Sequence, residues 1–90
     1  QNAGKNQASE MYWKNVVAFI TYVGRYARSI ETGWKGKVIG IEEFNGEQML
    51  KMMGYNWLNH EIAGGSIDEH LDLDDVQWFT VEDVKFLKVV

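Results

Sequence analysis

The residues best suited to metal chemistry lie between positions 59 and 75. They include five carboxylates from 68 to 75 and two histidines: Asp68, Glu69, Asp72, Asp74, Asp75, His60 and His70. An EF-hand requires acids at alternate loop positions, a central glycine and a distal glutamate, and this spacing lacks them. The histidines are ten residues apart, which matches no zinc motif. We therefore expect no metal site and a solvated acidic loop.

The sequence also lacks the residues that enzymes use as nucleophiles or phosphate binders. It has no cysteine, no serine within a Gly-x-Ser-x-Gly turn and no phosphate loop of the Gly-x-x-x-x-Gly-Lys type. Paired carboxylates occur at 42–43 and 74–75, but neighbouring side chains on a strand point to opposite faces. We therefore expect a non-enzymatic protein without a cofactor.

Aromatic side chains are the remaining candidates for a binding surface, because exposed Trp and Tyr often anchor protein partners. Trp34 follows Gly33 at a predicted turn, where burial is hard to arrange, so we expect it to be at least half exposed. Aromatic and acidic surface together would suit a protein partner. The candidate partner-binding residues are Trp34, Tyr55, Trp57, Asp72, Asp74 and Asp75.

The net charge of −4 conceals a strong asymmetry along the chain. Residues 1–36 contain five basic and two acidic residues, a net charge of +3. Residues 37–90 contain four basic and eleven acidic residues, a net charge of −7. An acidic field of this kind repels nucleic-acid phosphates and favours a partner with a basic surface, although acidic surface is also the usual route to solubility. The alternative is a nucleic-acid surface confined to the basic hairpin 25–37, formed by Arg25, Arg28, Lys35 and Lys37.

Length and hydropathy narrow the class of protein further. Ninety residues fit one small domain, which we place at 10–90 after a disordered polar leader over 1–9. The chain has no apolar run near the ~20 residues that a membrane span needs. We therefore expect no membrane association and favour the cytoplasm by default, whereas the oligomeric state stays open.

The central stretch predicts a hairpin with glycines at its tip. Val38, Ile39 and Ile41 are β-branched and follow Gly33 and Gly36, so 31–42 should form a turn and then a strand. Residues 23–30 should enter that turn as the preceding strand. The segment 10–23 is ambiguous: its β-branched residues favour a strand, while an N-cap at Ser9 would start a helix.

A second hairpin is predicted at Asn45-Gly46, the strongest short-range signal for a two-residue turn. Its return strand should cover 48–53, be broken at Gly54 and continue over 55–58, although a helix over 47–53 is the alternative. The segment 59–75 has no sustained periodicity and should form a long surface loop. Strands over 76–81 and 84–90 should complete the chain.

The strand, the Gly33-x-x-Gly36 loop and the following strand with Lys37, Val38 and Ile39 resemble the KOW-type turn of small SH3-like barrels. This resemblance implies a mainly β fold, either a small SH3-like barrel or a strongly bent antiparallel sheet, with or without a short N-terminal helix. The alternative is an α+β fold with a helix over 9–30 packed on an antiparallel sheet. By analogy with SH3-like peptide grooves, we expect a protein-interaction module or a small inhibitor, and a nucleic-acid-binding barrel is the alternative.

Overall fold

A computed structural model describes residues 3–88, in which a long helix leads into a five-stranded antiparallel sheet. The elements in chain order are α1 Ala3–Tyr22, β1 Tyr26–Ser29, β2 Lys35–Phe44, β3 Glu47–Tyr55, α2 Trp57–Ala63, β4 Leu71–Phe79 and β5 Val84–Phe86. Short 3-10 turns at Ile67–His70 and Val81–Asp83 precede β4 and β5. The prediction of a mainly β fold is confirmed.

The sheet is open, with the strand order β4-β3-β2-β1-β5. Within residues 3–88 its two edge strands, β4 and β5, do not pair with each other, so the closed barrel that we expected is wrong. Closure would need a ladder between these strands, but a 3-10 turn connects them in place of a hairpin. The link between them spans only 80–83.

Residues 10–22 form a helix, so the strand that we favoured there is wrong. The segment packs on the sheet as a helix, with Ala18 buried and Tyr22 stacked on Phe86, and does not pair with either edge strand. The helix also includes residues 3–9 of the expected leader, where Ala and Gln favour helix; residues 1 and 2 lie outside the described part. The helix ends before 25, so the alternative helix over 9–30 is too long at its C-terminal end.

Both predicted hairpins are present, but Gly36 lies within β2 and not at the tip of the first, and only Tyr26–Ser29 of the expected 23–30 is a strand. The turn between β1 and β2 contains Gly33 at φ +78°, and its N–H donates to the Ser29 carbonyl oxygen at 2.9 Å. The turn between β2 and β3 places Asn45 at φ 51° and Gly46 at φ 80°, as a two-residue hairpin turn requires. The return strand β3 runs through Gly54 to Tyr55 and α2 begins at Trp57, so the predicted break at Gly54 and the continuation over 55–58 are wrong.

The long loop predicted over 59–75 is also wrong, because this segment contains α2, a 3-10 turn and the first half of β4. The side chain of Asn56 caps α2 by accepting from the Asn59 N–H at 2.9 Å. Pairing of Leu71 with Tyr55 then starts β4 five residues earlier than expected. The last strand, β5, ends at Phe86, and the predicted extension to 90 includes residues outside the described part.

The core lies on one face of the sheet. Its fully buried side chains come from β1, β2 and β3, with Val84 of β5 nearly as buried: Ala27, Val38, Leu50, Met52 and Val84. The C-terminal end of α1 contacts this face through Ala18, which is 4% exposed, and through Tyr22, which stacks on the Phe86 ring at 5.3 Å. Most of the other side chains that the structure describes on α1 are exposed.

Candidate binding cleft

A cleft of about 360 Å³ opens at one end of the sheet. Three neighbouring strands meet there, because β2 begins, β3 ends and β4 begins at the same end of an antiparallel sheet. The cleft is lined by Trp34 and Lys35 from β2 and the preceding turn, Tyr55 from β3, and Asp72 and Asp75 from β4. Side chains far apart in sequence therefore converge on one concave surface.

Trp34 forms one wall of this cleft. Its indole Nε1–H donates a hydrogen bond to Oδ2 of Asp75 at 2.8 Å, and its ring lies 5.5 Å from the ring of Phe79. The side chain is therefore partly buried against the core, and the expectation of at least half exposure is wrong. The turn tip is formed by 30–33. Trp34 follows it directly before β2, and its ring packs over Gly36 of that strand.

Two glycines make room for this arrangement. Gly36 and Gly54 face each other across β2 and β3 and share the face of the buried Val38 and Met52. A Cβ atom at Gly36 would lie 2.9 Å from the Trp34 ring, and one at Gly54 would collide with the Asp75 carboxylate. The indole and the carboxylate can therefore rest directly on the two strands. Sequence reasoning missed both roles, although a glycine inside a strand often marks a close approach of another group.

Tyr55 lines the cleft at the end of β3 and is anchored by a histidine. Its hydroxyl and Nδ1 of His60 are 2.5 Å apart, and Nε2 of the same imidazole lies 3.1 Å from the Gly65 carbonyl oxygen. Burial raises the pKa of Tyr55, and the negative charge of Glu61 adds to that shift. Tyr55 follows Gly54, so its ring lies on the face of Tyr26, 6.3 Å from that ring. It is only 9% exposed, and its side chain is fixed by these contacts.

The histidines serve the packing of the segment 57–70. His70 places Nε2 2.7 Å from the Gly64 carbonyl oxygen, and its ring centroid lies 5.3 Å from that of His60. Among residues 3–88, no group of three or more His, Asp or Glu side chains is arranged to hold a metal ion. Both imidazoles bind backbone oxygens in the described structure, which is a structural use of these residues.

A charged cluster on the other face of the sheet ties the 3-10 turn to β1 and β2. Oδ1 of Asp68 accepts hydrogen bonds from the Tyr26 hydroxyl at 2.8 Å and from Lys37 Nζ at 2.9 Å. The Lys37 and Tyr26 hydrogen bonds lower the pKa of Asp68. Burial, followed by the hydrogen bond and charge of Asp68, raises the pKa of Tyr26 to about 12.

The structure does not bring the four basic residues of the alternative site together on one surface. Arg28 pairs directly with Lys35 on one side and Lys85 on the other, which places three cations in a row across β2, β1 and β5. Lys37 lies on the same face but forms an ion pair with Asp68. Arg25 stands apart, with its guanidinium carbon 4.1 Å from the centroid of the Phe86 ring.

The six predicted partner-binding residues are brought together in part. Trp34, Tyr55, Asp72 and Asp75 line the cleft. Asp74 is exposed beside it, and its backbone N–H donates to Oδ1 of Asp72 at 3.0 Å. Trp57 is the first residue of α2, and its side chain lies outside the described part.

No family model, curated protein or solved structure matches this chain. The resemblance of residues 23–42 to a KOW-type turn therefore stays a prediction. No helix within 3–88 combines the length and apolarity that crossing a bilayer requires. The chemistry of the cleft is thus the basis for an inference about function.

Proposed function

We propose that this protein is a non-enzymatic interaction module whose cleft binds a cationic side chain of a basic protein partner. The observation that carries the proposal is the convergence of Trp34 and Tyr55 with two carboxylates, Asp72 and Asp75, on one cleft. Aromatic rings and carboxylates together suit the planar guanidinium of arginine or the ammonium of lysine. A small inhibitor that blocks a basic site on another protein would use the same surface.

The hydrogen bonding of the carboxylates supports this proposal. One oxygen of Asp75 accepts from the Trp34 indole, and one oxygen of Asp72 accepts from the Asp74 amide. An ionised carboxylate has about four acceptor positions, so each group retains capacity for a ligand N–H. Lys35 also lines the cleft, so we expect a cationic ligand to approach on the side of the two aspartates.

The surrounding charge favours the same class of partner. Eight acids and neither Lys nor Arg occur from 61 to 83, and this segment supplies both carboxylates of the cleft. Such a field accelerates encounter with a basic surface and weakens with added salt. Charge reversal of Asp72 and Asp74 to Lys should therefore slow association in a salt-dependent way and change dissociation less.

A titration observed by NMR tests the proposal. N-acetyl-arginine methylamide is added to ¹⁵N-labelled protein, and the indole N–H signal of Trp34, assigned from a Trp34→Phe variant, is followed. We expect a saturating shift with the arginine compound and little shift with the citrulline analogue, which has the same shape without the charge. Asp75→Asn should weaken the response. Equal shifts with both compounds, or no shift at Trp34, would refute the proposal.

The row of cations at Arg28, Lys35 and Lys85 supports nucleic-acid binding as a second candidate function. Like charges directly opposite each other destabilise a sheet, so a row of three invites an anionic ligand. Fluorescence anisotropy with labelled single-stranded DNA and RNA at low salt tests this function. Micromolar binding that is lost in Arg28→Ala and kept in Asp75→Asn would support it and count against the first proposal. The absence of binding would exclude it.

A further inference from the structure

The most apolar surface of the described chain is on α1 and does not face the sheet. Five large apolar side chains of this helix are between 55% and 77% exposed: Tyr12, Trp13, Val17, Phe19 and Ile20. They lie within two and a half turns of each other along one broad side of the helix. We call these five residues the α1 stripe.

The opposite side of α1 contacts the sheet and is less apolar. Ala18 is buried there, and Asn15 hydrogen-bonds Glu43 Oε2 at 3.3 Å and Gln48 Nε2 at 2.9 Å. Tyr22 completes this contact against Phe86. A surface helix of a globular protein normally turns its apolar side to the core. In α1 the side with Ala18 and Asn15 faces the core instead. The apolar side is therefore left for a contact outside the chain.

The area of the α1 stripe suits a protein interface. A buried aromatic side chain covers about 150–250 Å², so three that are more than half exposed, with a Val and an Ile, present on the order of 500 Å². That lies at the upper end of apolar patches on monomers, about 300–600 Å², and forms most of the ~800 Å² that each side of a stable complex buries.

We propose that the α1 stripe binds the same stripe of a second copy, in an antiparallel helix pair. Trp13 and Ile20 are two turns apart on the stripe, so a two-fold axis beside Val17 sets each indole against the isoleucine of the other copy. The antiparallel orientation also separates the two acidic sheets to opposite ends of the pair. A parallel pair would place two chains with a charge of −7 over 37–90 side by side.

The shape of the molecule permits this pairing. The principal extents are 60 × 23 × 23 Å, because α1 projects along the long axis beyond the sheet. A groove of about 300 Å³ between α1 and Ile41 borders the stripe. Two copies can therefore bring their helices together with the sheets apart.

Sedimentation velocity over about 5–200 µM tests the proposal with two matched variants. Ile20→Asp and Thr21→Asp add the same charge at neighbouring exposed positions, but only position 20 belongs to the stripe. We expect the wild type and Thr21→Asp to dimerise and Ile20→Asp to raise the dimer dissociation constant at least about tenfold. Val17→Asp, checked by circular dichroism like the others, serves as a second stripe variant.

A spin label reports the orientation, because the chain has no cysteine and Lys5→Cys introduces a single thiol. In an antiparallel pair whose two-fold axis passes between positions 16 and 17, the two copies of position 5 lie about 35 Å apart along the helix axis. This distance follows from the helical rise of about 1.5 Å per residue. A parallel pair places them side by side. A monomer throughout the concentration range, a dimer insensitive to both stripe variants, a short label distance, or a monomer that instead sediments with phosphatidylcholine–phosphatidylglycerol vesicles would overturn the proposal.

Discussion

Replacing Gly36 by alanine measures how closely Trp34 rests on the sheet. A Cβ at this position would lie 2.5 Å from the Met53 carbonyl oxygen and 2.9 Å from the Trp34 ring. The backbone oxygen cannot rotate away, so the strands or the indole must shift. Overpacking costs about 1–3 kcal/mol, while alanine within a strand gains about 0.5–1 kcal/mol over glycine. We expect Gly36→Ala to lower the free energy of unfolding by about 1–2 kcal/mol.

Two other glycines provide the controls. Gly40 lies in the same strand, and a Cβ there would have no neighbour within 4 Å, so Gly40→Ala should leave stability unchanged or raise it by up to about 1 kcal/mol. At Gly54 the Cβ would meet the flexible end of Asp75. Gly54→Ala should therefore cost less stability than Gly36→Ala, but it should displace the carboxylate from the indole.

Urea denaturation followed by far-UV circular dichroism compares the three variants. With an m value of about 1 kcal/mol/M, Gly36→Ala should lower the midpoint by about 1–2 M. The Trp34 indole N–H resonance should move in Gly36→Ala and Gly54→Ala and stay in place in Gly40→Ala. Equal urea midpoints for Gly36→Ala and Gly40→Ala would show that the Trp34 indole does not pack against β2 at Gly36, and would refute this prediction.

Three further predictions concern the core, the charged cluster and metals. Leu50→Ala, at a fully buried side chain, should cost about 2–5 kcal/mol in urea denaturation. Because the pKa of Tyr26 is raised from 10.0 to about 12, the stability that its neutral form contributes should be complete below pH 10 and lost between about pH 10 and 12. Absorbance titration at 295 nm should show the pKa of Tyr26 falling in Asp68→Asn while staying above its ordinary value, because burial persists. Millimolar calcium or zinc should leave the melting temperature unchanged, whereas specific binding at a hundredfold excess over Kd would stabilise by about 2.7 kcal/mol.

Local chemistry explains which parts of the fold could be predicted from the sequence. The turn at Asn45 and Gly46 follows from residues that tolerate positive φ, whatever the rest of the chain does. The helix over 10–22 depends instead on its packing against the sheet, where Tyr22 stacks on Phe86, 64 residues away in sequence. The start of β4 depends on pairing of Leu71 with Tyr55 across α2. Such choices are decided by tertiary contacts that no local pattern contains.

The same division applies to the candidate site. Residue type alone identified Trp34, Tyr55 and Asp75 as potential ligand contacts. The hydrogen bond between the indole and the carboxylate joins residues 41 positions apart, and it requires the irregular register of β3 with β4 near Gly54. Neither the register nor the paired glycines beneath the two side chains could be derived from spacing. The sequence therefore identified the groups, while the sheet determined their contacts.

The acidic residues of β4 lie on an exposed edge of the sheet. In the described part of the chain this nine-residue strand has a neighbour on one side only, and an unpaired edge is a template on which further strands can add. Asp72 and Asp74 are exposed there beside Leu73, which is 76% exposed. At neutral pH their charges repel an identical strand from another molecule. The acidic residues therefore oppose edge-to-edge pairing of the same strand that carries the exposed leucine.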